Sequence, residues 1–247
     1  MPKRTLAAVA ALLAALVCAA PAPAKIVEIG RTDATPACPT SPCLAVSRTT
    51  GYQVKVGAER NDFAAPADGK IVAWSINLGA PTKDQISFFD KSLGGTSAAQ
   101  LTVIRLQKKL NAQVVTQSPV EQLQPFFGQT VQFPLARALN VKKGDVIALT
   151  VPTWAPALTQ LLTDTSSWRA SRALGKCNDT STQTAQSTLK DVAQYRCLYK
   201  ARLTYSATLI TLPQPTPAAS PTPTPTPGTT PTATPTPIPT ATPKPKG

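Results

Sequence analysis

The chain contains no histidine, and this absence limits the catalytic chemistry that its side chains can support. A Ser-His-Asp triad and a Cys-His dyad both need an imidazole as general base, so most serine hydrolases and papain-like proteases are excluded. Zinc sites with histidine ligands are excluded for the same reason, and the cysteines do not form paired Cys-x-x-Cys knuckles. The sequence therefore predicts neither a metal site nor a cofactor site.

Glycoside hydrolysis stays open as an enzymatic alternative, because it needs only two carboxylates that face each other across the scissile bond. Most of the 12 acidic residues lie in turn-like segments, for example Asp68, Asp145 and Asp179. Such residues cap turns through backbone hydrogen bonds. Ser187 and Lys190 match the Ser-x-x-Lys spacing of penicillin-recognising enzymes, but they lie in a polar segment of a β-rich chain. We expect a non-catalytic protein, with a carboxylate-dependent polysaccharide hydrolase as the alternative.

Two tryptophans and two arginines form the candidate ligand-binding set. Trp154 follows a predicted strand in VPTWAPAL, and Trp168 lies beside Arg169 and close to Arg172 in SSWRASR. An exposed indole can stack on a sugar ring, and a guanidinium can bind an acidic substituent of that sugar. Trp74 lies instead on the inward face of a predicted strand. We expect the candidate set, Trp154, Trp168, Arg169 and Arg172, to contact a ligand, with packing of loops over the core as the alternative.

The cysteines indicate disulfide bonds. Of the five cysteines, Cys18 lies in an apolar leader, which leaves Cys38, Cys43, Cys177 and Cys197 in the remaining chain. An even number of cysteines in an exported chain implies disulfides, and three pairings are possible. We favour Cys38–Cys43, which brackets a proline-containing turn, and Cys177–Cys197, which ties a polar excursion to the last predicted strand.

The chain is strongly basic, with a formal net charge of +13. Its basic residues are scattered, and outside the leader they are adjacent only at Lys108-Lys109 and Lys142-Lys143. No arginine-rich run or nucleic-acid module is present, so we expect no nucleic-acid partner. Outside the cell, such a charge attracts anionic wall polymer, acidic polysaccharide or a membrane surface. The alternative is an ordinary solvated basic surface, and the oligomeric state stays open.

Three segments differ in composition. Residues 1–24 contain a basic start, an apolar run and the small residues Ala22 and Ala24, which predicts a secretory signal peptide. Residues 213–247 alternate proline with threonine, which predicts an extended, disordered tail that acts as a spacer. Residues 25–212 are long enough for one domain with its own core. The sequence therefore predicts a protein that is secreted or associated with the cell wall, without a transmembrane segment in the mature chain.

The central segment reads as short strands separated by turns. Alternating apolar residues predict one long final strand over 197–209, and Val72, Trp74, Ile76 and Leu78 share one face of another. No segment predicts a clear amphipathic helix; residues 90–100 are expected to form a loop, and residues 175–197 an exposed polar excursion. We predict an all-β fold, an antiparallel β-sandwich of roughly eight to ten strands with a jelly-roll-like topology.

Several segments carry a resemblance to known sequences: TTGYQVKVG, GKIVAWSINLG, PFFGQTVQFPL, VKKGDVIALTVPTWAPAL, SSWRASR and QYRCLYKARLTYSATL. Together they resemble secreted β-sandwich proteins of uncharacterised function from high-GC Gram-positive bacteria. The resemblance covers most of residues 52–209 and implies the fold and export. It implies no catalytic residue. With the charge and the tail, it leads to the expectation of an extracellular non-catalytic module that binds wall or environmental polysaccharide; a purely structural envelope protein is a further alternative.

Overall fold

The computed structural model describes residues 23–38, 43–159, 165–179 and 185–213. Nearly all of the predicted signal peptide and tail therefore lie outside the described residues. The strands are β1 Ile26–Arg31, β2 Val46–Val56, β3 Glu59–Arg60, β4 Gly69–Asn77, β5 Ala98–Leu106, β6 Asn111–Gln117, β7 Glu121–Gln122, β8 Thr130–Val141, β9 Val146–Ala155, β10 Leu158–Thr159, β11 Ser167–Ala170, β12 Val192–Gln194, β13 Cys197–Tyr199, β14 Arg202–Leu203 and β15 Tyr205–Thr211. One α-helix, α1, covers Lys83–Ser92, and short 3₁₀ segments cover Lys108–Leu110 and Gln124–Phe126.

Eight strands have six or more residues, and their pairing has the jelly-roll pattern. In chain order, the first pairs with the eighth (β1 with β15), the second with the seventh (β2 with β9), the third with the sixth (β4 with β8), and the fourth with the fifth (β5 with β6). The pairs β15–β4 and β5–β9 join these ribbons into two antiparallel sheets. The predicted β-sandwich and its jelly-roll-like topology are confirmed.

The two sheets differ in size. The smaller sheet has the order β1-β15-β4-β8. The larger sheet has the order β12-β6-β5-β9-β2-β11-β13, so the short strands β11, β12 and β13 extend the jelly roll at both edges. Because antiparallel sheets bury the alternate residues of each strand, the core lies between the two inner faces.

Aromatic residues from the smaller sheet and from the loop before β4 meet in this core. The ring of Trp74 lies 4.9 Å from that of Phe133, and the ring of Phe63 lies 5.1 Å from that of Tyr205. Trp74, Phe63 and Tyr205 are at most 1% exposed. Aromatic side chains bury a large area each, so they contribute much of the apolar burial that stabilises the sandwich.

The predicted inward face of β4 needs one correction. Trp74, Ile76 and Leu78 are buried as expected, but Val72 is only half-buried, and Ile71 points inward instead. The register of β4 against both neighbours shifts between Ile71 and Ala73. This β-bulge reverses the alternation of faces at Val72, which a strict two-residue period cannot anticipate.

The expectation of no clear helix is wrong for α1. Thr82 is its N-cap: the Thr82 hydroxyl accepts the Gln85 N–H at 3.3 Å, and the Gln85 side chain accepts the Thr82 N–H at 2.7 Å. This reciprocal capping box satisfies two backbone donors of the first turn. The helix ends before Gly94 and Gly95, which both have positive φ. The Thr-x-x-Gln sequence is the signal that indicates this helix.

The predicted final strand is interrupted. Residues 197–209 form β13, β14 and the first part of β15, because the chain crosses here from the larger sheet to the smaller one. Arg202 and Thr204, on the predicted solvent face, are buried. The Arg202 guanidinium binds Asp33, and the Thr204 hydroxyl donates to the carbonyl of Asn77 at 2.7 Å. The residues of the predicted inward face are buried, apart from the half-buried Tyr199.

Both favoured disulfides, Cys38–Cys43 and Cys177–Cys197, are confirmed. The second one closes a segment that we call the strap, defined as residues 171–179 and 185–196. The prediction of an exposed polar excursion over residues 175–197 holds for most of its described residues, but Gln186, Tyr195 and Cys197 are buried. The strap packs on the outer face of the larger sheet and returns as the edge strand β12, which pairs with β6.

Under the strap lies a row of buried hydroxyl groups on the outer face of the larger sheet. The Thr150 hydroxyl lies 2.8 Å from that of Thr50 and 2.6 Å from that of Thr102. The Gln186 N–H of the strap donates to the Thr50 hydroxyl at 2.9 Å, and the Gln117 side chain donates to the Thr102 hydroxyl at 3.0 Å. Because buried polar groups need partners, this network attaches the strap to the sheet.

Candidate functional site

Two lysine pairs that are separate in the sequence meet at one end of the sandwich. β5 and β9 are antiparallel, and their last paired residues are Ile104 and Val146. The turn that follows β5 and the turn that precedes β9 therefore lie side by side. Lys108 and Lys109 are in the first turn, Lys142 and Lys143 are in the second, and all four are exposed. We call the surface formed by these four lysines the basic end.

An ion pair joins the end of β5 to the turn before β9. Arg105 donates from Nε and Nη2 to the two carboxylate oxygens of Asp145, both at 2.8 Å. The Lys142 N–H donates to the same carboxylate at 2.9 Å, and Asp145 is only 2% exposed. The hydrogen bond to Asp145 raises the pKa of the Arg105 guanidinium. Because Arg105 already neutralises this carboxylate, the charges of the four lysines are not offset by Asp145.

Asp68 links the basic end to the two ends of the described chain. Its carboxylate accepts the Lys143 N–H at 2.8 Å, and its backbone carbonyl accepts the Leu212 N–H at 2.8 Å. The Thr211 N–H in turn donates to the Lys25 carbonyl at 2.9 Å. Residues 25 and 212, which border the predicted leader and tail, therefore lie at the basic end. Asp68 is exposed, and its negative charge partly offsets the positive charge there.

The turn that carries Lys108 and Lys109 is strained. Lys109 and Leu110 both have positive φ, 61° and 60°, as in the type I′ turns that usually contain Asn and Gly. A left-handed backbone costs a residue with a Cβ about 1–2 kcal/mol. The turn is closed by the Gln107 N–H, which donates to the Asn111 carbonyl at 2.8 Å. Strained backbone of this kind is found preferentially at functional sites.

Trp154, a predicted ligand contact, is a core residue. Its indole is fully buried and lies between the rings of Phe89, at 4.9 Å, and Phe127, at 5.5 Å. Its Nε1–H donates to the Asp90 carboxylate of α1 at 2.9 Å and to the Gly95 carbonyl at 3.1 Å. The expectation of an exposed indole is wrong here because α1 covers this end of the sandwich, opposite the basic end.

Trp168, Arg169 and Arg172 lie together as the sequence suggests, but their contacts are within the protein. Trp168 is 4% exposed and stacks on Tyr199 with a centroid distance of 4.8 Å. Arg172 donates to the Tyr199 hydroxyl at 2.6 Å, and Arg169 donates to the Tyr195 carbonyl at 3.0 Å. The two guanidiniums thus hold the strap and β13 in place. Trp168 offers no free ring face to a sugar.

Several carboxylates of the described residues have local partners. Asp62 pairs with Arg31 at 2.6 Å, Asp33 pairs with Arg202, and Asp90 accepts from Trp154 and Gln124. These contacts are spread over different parts of the sandwich, which is not the geometry of two carboxylates on one scissile bond.

The described residues contain no group of three or more acidic, cysteine or histidine side chains placed to bind a metal ion. Among the helices of this part of the chain, none has the length and apolar character needed to cross a bilayer.

The basic end could be foreseen only in part. Each lysine pair stands out in the sequence because its two members are adjacent, but 32 residues lie between Lys109 and Lys142. Their proximity follows from the pairing of β5 with β9, which joins the fourth and seventh strands of the jelly roll. No local signal in the sequence indicates this pairing.

No protein-family model, curated protein or solved structure matches this chain. The resemblance to secreted β-sandwich proteins of high-GC Gram-positive bacteria therefore stays a prediction.

Proposed function

We propose that this protein is an exported, non-catalytic jelly-roll module that binds an anionic wall polymer or acidic polysaccharide through the basic end. The observation that carries the proposal is the convergence of Lys108, Lys109, Lys142 and Lys143 from two turns joined by the Arg105–Asp145 pair. A polymer with regularly spaced negative charges can contact several of these ammonium groups at once. Lysine suits this role because its ammonium is a mobile point charge that makes no demand on ligand geometry.

The expected affinity is modest. An exposed ion pair contributes about 0.2–1 kcal/mol, so four contacts supply about 2 kcal/mol, or roughly 30-fold in a binding constant. Such contacts weaken with salt because the Debye length is about 10 Å at 0.1 M ionic strength. Strong retention then requires several protein molecules, or several segments of the polymer, to act together.

Export is supported by the covalent structure. The disulfides Cys38–Cys43 and Cys177–Cys197 are of a kind that persists mainly in oxidising compartments. The predicted signal peptide agrees with this location. Because residues 25 and 212 lie at the basic end, a tail that serves as a spacer would begin beside the surface that contacts the polymer.

The test compares two double variants of equal charge change. Lys108→Gln with Lys143→Gln alters the basic end, and Lys83→Gln with Lys91→Gln alters α1 at the opposite end. Retention is measured on immobilised polygalacturonate and on poly(glycerol phosphate), at about 50 mM and about 500 mM salt. We expect a loss of about fivefold or more for the basic-end variant, no loss for the α1 variant, and release at high salt.

Three results would contradict the proposal. One is equal loss in both double variants, which would indicate a general charge effect. Another is retention that salt does not reduce. The last is binding of the wild-type protein to vesicles of phosphatidylglycerol but to neither polymer, which would identify a membrane surface as the partner instead.

A further inference from the structure

A groove of about 620 Å³ lies between β6 and β8, where an edge of the smaller sheet faces the larger sheet. We call it the side groove. It is lined by residues 115–119 of β6 and the following turn, by residues 136–140 of β8, and by Leu189 of the strap. Its volume is in the range of about 300–1,000 Å³ that is typical of small-molecule sites.

The wall contributed by β8 is a large bulge. On β4, Ala73 pairs with Pro134 and Ile71 pairs with Leu139, so four residues of β8, 135–138, lie opposite Val72 alone. The extra residues leave the ladder, and Ala136, Arg137 and Ala138 line the side groove. β-Bulges are over-represented next to binding sites, because they direct side chains that a regular strand would place elsewhere.

The lining is largely apolar, and it adds one positive charge and several neutral polar groups to this apolar surface. Arg137 is exposed, and the lining includes no acidic residue. Thr116 and Asn140 add a hydroxyl and an amide. The Gln117 side chain is fixed by its bonds to the Thr102 hydroxyl at 3.0 Å and to the Gln186 carbonyl at 2.8 Å. A groove with this lining suits a hydroxyl-rich ligand that bears one anionic group.

The β8 wall of the side groove leads toward the basic end. Asn140 lines the groove, and Lys142 follows it by two residues, about 7 Å along an extended strand. A chain held by the lysines can therefore extend into the groove without leaving the surface. The bidentate geometry of a guanidinium selects carboxylate and phosphate groups, whereas the lysines attract any anion.

We infer that the side groove binds an acidic sugar unit of the polymer that the basic end attracts, with Arg137 contacting its anionic group. This inference rests on the proposed function and adds the ligand class: an anionic saccharide rather than a general polyanion. The lysines supply charge attraction, and the groove supplies the selection of sugar units with an acidic substituent.

The test uses the full chain, isothermal titration and three small probes: trigalacturonate, which carries carboxylates, glucose 1-phosphate, and neutral maltotriose. We expect saturable binding of at least one acidic probe and none of maltotriose. Arg137→Gln should weaken this binding about tenfold, because it removes the charged donor that contacts the anionic group of the probe. Ala136→Trp should also weaken it, because the ring fills the groove while Arg137 is retained. The two acidic probes distinguish a uronate from a sugar phosphate.

The controls separate this inference from the proposed function. Lys108→Gln with Lys143→Gln should reduce polymer retention while short acidic probes still bind the groove within about threefold of wild type. Unchanged titrations with Arg137→Gln and Ala136→Trp, equal binding of maltotriose, or no binding of either acidic probe would overturn the groove assignment. If Lys108→Gln with Lys143→Gln still reduced polymer retention in that case, the proposed function would not be contradicted.

Discussion

Arg105 and Asp145 form a two-bond ion pair in which both N···O distances are 2.8 Å, and this pair joins the turns that carry the four lysines. The carboxylate is buried, whereas the guanidinium side chain is 46% exposed. The pair therefore anchors the β5–β6 turn to the start of β9 from inside, while the lysines around it face solvent.

Replacing Asp145 with Ala should lower the free energy of unfolding by about 2–3 kcal/mol. The change removes the two bonds from Arg105 and the bond from the Lys142 N–H. A hydrogen bond to a charged group contributes about 1.5–3 kcal/mol, and the freed Arg105 guanidinium recovers part of the loss by binding water. Urea denaturation measures the effect. Lys176→Gln, which breaks the exposed pair with Asp179, serves as control and should cost less than about 0.5 kcal/mol. A similar cost for both variants would contradict the anchoring role.

The strained turn should become more stable when Lys109 is replaced with Gly. Glycine adopts positive φ without the steric cost of a Cβ, and the Lys109 side chain is exposed, so little burial is lost. We expect a gain of about 0.5–1 kcal/mol. Lys108→Gly is the matched control, because Lys108 is not among the residues with positive φ, and this change should destabilise the turn. A loss of stability with Lys109→Gly would show that side-chain contacts outweigh the backbone strain.

Alkaline pH should unfold the protein through three buried tyrosines. Burial raises the pKa of Tyr52, Tyr195 and Tyr205 above the ordinary value of about 10. Above pH 10 the unfolded chain loses these protons while the folded chain retains them, so stability is complete below about pH 10 and falls as pH rises further.

Ultraviolet titration of tyrosinate, run beside a fluorescence measurement of unfolding, tests this expectation. The buried tyrosines should ionise only together with unfolding. Tyr205→Phe should make stability less dependent on pH above 10, although it also removes the bond from the Tyr205 hydroxyl to the Ile147 carbonyl. Ionisation of all tyrosines near pH 10 in the folded protein would refute the burial of these side chains.

The disulfide of the strap should contribute more to stability than the disulfide of the short turn. The sequence separation is 20 for Cys177–Cys197 and 5 for Cys38–Cys43. Loop-closure entropy predicts about 3 kcal/mol for the first and about 2 kcal/mol for the second. Paired Cys→Ser variants, compared by thermal denaturation, measure the difference. Hydrogen exchange should also become faster at Gln186 and Tyr195 in the strap variant, and unchanged protection there would contradict its role in holding the strap.

Trp154 should affect stability without affecting polymer binding. Trp154→Ala should cost about 3–5 kcal/mol because it leaves a large cavity beside Phe89 and Phe127. Trp154→Phe should fold at reduced stability and keep wild-type retention on polygalacturonate. Reduced retention of the folded Trp154→Phe variant would support a sugar-stacking role for Trp154, which the burial of its indole argues against.

Much of the fold was accessible from the sequence because its signals are local. Alternating residues such as Trp74, Ile76 and Leu78 mark a strand with one buried face, and this pattern does not depend on distant contacts. Val72 departs from the pattern because a bulge depends on how neighbouring strands pair. The helix α1 was not predicted because it has no buried residue and therefore no clear apolar face in the sequence. Its only signal is the capping pair Thr82 and Gln85.

The candidate site depended on tertiary structure to a greater extent. Trp154 follows a predicted strand, and Trp168 lies beside Arg169, so both were expected to be exposed. In the structure α1 covers the first, and packing against Tyr199 beside the strap buries the second. The composition of a segment shows that it is polar, but not whether its backbone and amides find partners on a sheet. Gln186 and the threonine hydroxyls beneath it form such hydrogen bonds, so this polar segment packs on the sheet.

By itself, the sequence determined the all-β class and the basic charge, since both follow from residue types and short spacings. It favoured one of three disulfide pairings, and the structure shows that pairing. Only the folded chain decided that Lys108 and Lys109 lie beside Lys142 and Lys143, and that residues 135–138 leave the ladder to line a groove. Strand pairing between distant segments depends on the fit of complete sheets, and this fit is not encoded in any short window of residues.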